Sequence, residues 1–100
     1  MIKHYFMVEF ELPVPLTPEL LSLVPEHRMA VNRLLTSGKI KSYSLAADYS
    51  KIWAIFVGKS EFEVMESISM LPLSEYMVPR VDSLAFHNEA FELATPISYN

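Results

Sequence analysis

Cysteine is absent from the 100 residues, which excludes disulfides, thiolate catalysis and Cys-type zinc sites. Glycine occurs twice; there is no Gly-rich phosphate loop, and neither HExxH nor C-x-x-C appears, so cofactor chemistry is not expected. Positive charge is sparse: eight Lys and Arg stand against twelve Asp and Glu, a net charge of −4. The basic residues are scattered singly, leaving no stripe to neutralise phosphates, so nucleic acid is not an expected partner. No apolar run reaches the ~18–20 residues needed to cross a bilayer. The N-terminus lacks a signal-peptide pattern. A membrane partner is therefore not expected, and the composition fits the cytoplasm.

What the chain does have is apolar residues, 51% of the total. One hundred residues suffice for a single core, but so small a domain has much surface relative to interior. So generous an apolar fraction predicts that part of the surface is buried between subunits. Homo-oligomerisation follows as a physical expectation.

Residues 2–12 alternate: Ile2, His4, Phe6, Val8, Phe10 and Leu12 share one face, and Lys3, Tyr5, Met7, Glu9 and Glu11 the other. That period predicts a strand with one buried side, ended by Pro13 and Pro15. Thr17-Pro18 starts a helix with a hydroxyl cap and a first-turn proline. Leu20, Leu23/Val24, His27, Ala30/Val31 and Leu34/Leu35 then recur at helical spacing. Pro25 lacks an N–H to bond back and predicts a kink or two helical pieces; Gly38 is the expected C-terminal cap. Strands are predicted over 40–47, 52–57 and 78–87, the middle one central because both its faces are apolar. Ser60-Glu61-Phe62-Glu63 reads as a capping box, opening a helix predicted to bury Phe62, Val64, Met65 and Ile68. The order is β-α-β-β-α-β, the ferredoxin-like α+β pattern, with both helices on one face of a four-stranded antiparallel sheet. Residues 1–88 form the expected domain, and the tail 89–100 is expected to dock on a neighbouring subunit.

Two segments carry a family resemblance: Leu12-Pro13-Val14, and Leu71-Pro72-Leu73-Ser74-Glu75-Tyr76-Met77 followed by Val81-Asp82-Ser83-Leu84. Together they resemble the muconolactone isomerase family over about residues 2–87. The resemblance implies a dimeric α+β barrel and a cofactor-free allylic proton shift in a small unsaturated lactone.

Glu26-His27-Arg28 is the densest polar cluster on an otherwise apolar helix. His27 falls on the apolar stripe, while Glu26 lies about 100° round the helix, so the two cannot face inward equally. An ionisable group drawn into an apolar cleft has its pKa moved toward neutrality, which suits proton transfer. The alternative is a core-edge histidine with one hydrogen bond. The expected base is thus His27 or Glu26. Arg28 is the expected anchor for a substrate carboxylate, and Tyr43, Trp53 and Tyr76 the expected pocket wall. His4 and His87 are predicted near one end of the sheet, but two ligands are too few for a zinc site. A non-catalytic ligand-binding or assembly module on the same fold is the competing expectation.

Overall fold

A computed structural model describes residues 3–90 of the chain. Its elements are β1 (His4–Glu11), α1 (Pro18–Ser22), α2 (Val24–Ser37), β2 (Ile40–Leu45), β3 (Lys51–Gly58), α3 (Glu61–Ser69), a single 3-10 turn (Ser74–Tyr76) and β4 (Val78–Ser83). The four strands form one antiparallel sheet in the order β2-β3-β1-β4. This is the expected ferredoxin-like α+β arrangement, with the helices packed against one face.

The core lies between sheet and helices. Phe6, Val8 and Phe10 of β1 alternate inward, as do Ile52, Ala54 and Phe56 of β3. Leu20, Val31, Val64 and Ile68 meet them from the helices. His4, in phase with this set, is nevertheless exposed, because it lies at the strand's outer end.

The prolines and caps act as their chemistry dictates. Thr17 accepts a hydrogen bond from the Leu20 N–H at 3.2 Å. The first helix breaks at Leu23, with Pro25 in the opening turn of α2, where a missing N–H costs nothing. Gly38 closes α2 with φ +82°, a left-handed conformation that favours glycine. At α3, the Ser60 hydroxyl accepts from the Glu63 N–H at 3.2 Å, and Glu63 accepts from the Lys59 N–H at 2.6 Å. The helix packs tightly on the end of β3: a side chain at Gly58 would meet Glu63 Oε1 at 2.9 Å and Val64 Cγ2 at 3.3 Å.

That packing corrects one expectation. Val64 and Ile68 are buried, but Phe62 is 72% exposed and Met65 39%. With Val64 held against Gly58, Phe62 points away, two residues and about 200° back round the helix. The outer strands are also shorter than their apolar patterns. β2 ends at Leu45 and β4 at Ser83, after which the Leu84 N–H still bonds to the Tyr5 carbonyl at 2.9 Å. The expected docking of the tail concerns residues that lie, from 91 onward, outside those described. No helix among the described residues is long and apolar enough to cross a membrane.

Candidate active site

A local irregularity in β2 places the key side chain. Ile40 pairs with Phe56 and Tyr43 with Ala54, so three steps on β2 match two on β3, a bulge between Ile40 and Ser42. In a regular strand, residues three apart face opposite sides. The bulge turns Tyr43 onto the helix-facing side together with Ile40, a re-aiming typical of such insertions.

Opposite Tyr43, α2 presents Val24, His27, Arg28, Val31, Asn32 and Leu35 to a cavity of about 560 Å³. Their spacing is that of one helical face. The Leu12–Leu16 linker, α1, the inner face of β2 with Ile52, and Leu73 complete the walls. Most of the lining is aliphatic. The polar groups are His27, Arg28, Asn32, Tyr43 and Tyr49.

Among the described residues, His27 is the one polar residue buried in the core, at 4% exposure. Its Nε2 lies 2.6 Å from the Tyr43 hydroxyl oxygen, and its Nδ1 accepts a 3.4 Å hydrogen bond from the Leu73 N–H. A backbone N–H can only donate, so Nδ1 carries the lone pair at rest. The ring proton then sits on Nε2 and is donated to Tyr43. The hydroxyl proton of Tyr43 is left for an acceptor in the cavity. Burial pushes the imidazole pKa below its ordinary value and the Tyr43 phenol well above its own. Both effects arise because burial strips water from the charged form and so disfavours it. At neutral pH the pair is therefore uncharged.

The signature segment joins this site through its backbone. Leu71 and Leu73 are buried on either side of Pro72, which lacks an N–H; the Leu73 amide is the group that reaches the histidine. Tyr76 packs against the core and does not line the cavity.

Of the six residues expected at the site, the fold brings His27, Arg28 and Tyr43 to one cavity. Glu26 is exposed on the flank of α2 and is not among the lining residues. Trp53 lies on the opposite face of the sheet. It pairs with Glu9 and Ser44, and its indole N–H donates to Glu9 Oε1 at 3.2 Å. Its level along the strand matches the site, but its parity does not: Ile52 and Ala54 on either side point inward, so Trp53 must point out. Asn32, Tyr49 and the Leu73 amide were not anticipated. Asn32 was legible as the residue four after Arg28, the next on that helical face.

The other histidines stay apart from the cavity. His87 stacks on Tyr5, with ring centroids 5.1 Å apart, and donates to Glu89 at 2.9 Å. Among the described residues, no group of three or more His, Asp or Glu is placed to hold a metal ion.

Fold and cavity together define a ferredoxin-like domain with a histidine–tyrosine pair at the wall of an open cavity beneath its first helical layer. The muconolactone delta-isomerase family model matches residues 5–90, and the chain belongs to that family. Among solved structures, a crystal structure of muconolactone isomerase at 3.3 Å resolution superimposes with a TM-score of 0.67 at 25% identity. The match covers 89% of this chain and 96% of that one. A search of curated proteins finds no match.

Proposed function

We propose that the chain is a cofactor-free isomerase that moves a proton within a small unsaturated lactone or related carboxylate. Family membership supports the reaction class. The observation that carries the assignment to residues is the 2.6 Å contact between His27 and Tyr43 at the wall of the cavity. A buried ionisable group of shifted pKa within a cavity favours an enzyme over a passive module.

The chemistry asks for a base, a route back for the proton, and groups to hold developing negative charge. Arg28 holds the substrate carboxylate, and the Asn32 amide, one turn further along α2, donates to the lactone carbonyl. The activated C–H bond breaks, and its electron pair spreads to the carbonyl oxygen as a dienolate. The proton passes to the Tyr43 oxygen as the phenol's own proton passes to His27 Nε2. Reversal of this relay onto the carbon two positions along completes the shift and regenerates the protein. Transfer therefore runs from the ring's minor tautomer. The ring proton first moves from Nε2 to Nδ1, giving up the long 3.4 Å contact in which Nδ1 accepts from the Leu73 N–H, and the bared Nε2 then takes the phenol proton. Burial keeps the imidazole unprotonated beforehand, and destabilises the imidazolium so that the proton returns.

The same reading includes a homodimer formed through the uncovered face of the sheet, where Trp53 is 40% and Met7 38% exposed. A cytoplasmic setting rests on the cysteine-free composition.

The test is isomerisation of muconolactone by the purified protein beside His27→Gln and Tyr43→Phe. Glutamine can still hydrogen-bond Tyr43 but cannot take up a proton. Both variants should lose turnover while retaining the fold; equal rates in all three proteins would remove the pair from the mechanism.

A further inference from the structure

The cavity is larger and more apolar than a single lactone ring requires. Even at the roughly 30 Å³ that each non-hydrogen atom occupies in liquid water, a lactone acid of about ten such atoms fills about 300 Å³. The cavity holds about 560 Å³. Its rim is apolar and open: Leu21, Leu35, Leu45 and Tyr49 line it while remaining 51%, 38%, 51% and 55% exposed. Apolar side chains exposed around a cavity mouth mark a surface that another molecule covers, and beside a cavity of this size a ligand reaching out of it is a fitting occupant.

Tyr49 adds an independent observation. Its φ is +66°, in the left-handed region that favours glycine. The adjoining turn holds it there, with Asp48 Oδ1 accepting from the Ser50 N–H at 3.0 Å and from the Ser50 hydroxyl at 2.7 Å. A bulky aromatic kept in that conformation at the cavity mouth is a strained residue at a candidate site. The backbone alone would be better served by glycine.

We propose that the preferred ligand is an extended, largely apolar acid, of the size of two fused rings. Its carboxylate meets Arg28, its ring system lies along the aliphatic wall, and the ring of Tyr49 covers its outer end. This rests on the cavity being the substrate site, and it changes the substrate from a lone five-membered lactone to a larger conjugated acid.

The experiment compares the binding of 2-naphthoate and of muconolactone to the full chain by calorimetry, in the native sequence and in Tyr49→Gly. Naphthoate should bind at least about tenfold more tightly than the lactone, from the added buried ring. Tyr49→Gly should weaken naphthoate by about fivefold, from loss of the aromatic cover, without lowering the thermal unfolding midpoint. Equal or tighter binding of the lactone would overturn the proposal, as would naphthoate binding unchanged by Tyr49→Gly. Lactone turnover followed in the same preparations separates the two readings. Turnover with no preference for naphthoate sinks the larger ligand and keeps the isomerase. Naphthoate binding that responds to Tyr49→Gly, without turnover, keeps the larger ligand and sinks lactone isomerisation.

Discussion

The two faces of the sheet are built from the same strands and differ in almost every physical respect. On the helix side, Phe6, Val8, Phe10, Ile52, Ala54 and Phe56 are buried against helices, and burial lowers the pKa of His27 and raises that of Tyr43, which favours the uncharged pair. On the other side, Trp53 and Met7 are half-exposed among charges: Lys51 approaches Glu9 at 3.7 Å and Arg80 approaches Asp82 at 3.5 Å. Such exposed pairs contribute little to stability. Burial, and not the residue types alone, separates the two sides. A tyrosine on the inner face is drawn against a buried imidazole, while a tryptophan at the same level on the outer face stays half-exposed.

The largest expected effect breaks the inner face chemically. Tyr43→Phe and His27→Gln should each lower kcat by about 10²–10⁴, the usual worth of positioned proton transfer. Trp53→Phe on the outer face should leave kcat unchanged. Comparable losses from all three variants would erase the distinction.

The next effect breaks it structurally. Phe10→Ala should cost about 3–5 kcal/mol in denaturant unfolding, as a large side chain removed from a filled core does. Met7→Ala, three residues away and on the outer face, should cost less than about 1 kcal/mol when measured on the monomer.

Oligomeric state sharpens the comparison from the other side. Trp53→Lys places a charge on the outer face and should weaken self-association by about tenfold or more, read by sedimentation across protein concentrations. An unchanged oligomer would move the interface elsewhere.

A smaller effect follows from acid. His27 has a folded pKa below its ordinary value, so the unfolded chain binds the proton first. Stability should be complete above the unfolded value, about 6.5, and be lost progressively as pH falls through the lowered folded value. In His27→Gln this component of the pH dependence should vanish. The smallest expected change is at the start of α1, where Thr17→Ala should cost about 1 kcal/mol through loss of the cap on Leu20.

Much of this was written locally in the chain. Period two gave β1 its inner face, and Pro25, Gly38 and Ser60 marked helix ends that are set by backbone chemistry within a few residues. His27 was legible because it sits on an apolar stripe, and Arg28 because it adjoins it. The bulge in β2 was not legible: Ile40 and Tyr43 are three apart, which a regular strand would send to opposite faces. Only pairing with β3 decides otherwise. The Leu73 amide was hidden for a similar reason, since it lies 46 residues from His27 and carries no side-chain signal. Phe62 misled because helical spacing admits several apolar faces, and contact with Gly58 selects the one through Val64.

The state of the His27 ring is open to observation by nitrogen-15 NMR of the imidazole at pH 7. The geometry requires a neutral ring with its proton on Nε2, a bare Nδ1, and a shift at Nε2 when Tyr43 is replaced by Phe. A doubly protonated ring at that pH, or nitrogen signals indifferent to Tyr43→Phe, would show that the buried pair does not exist as described.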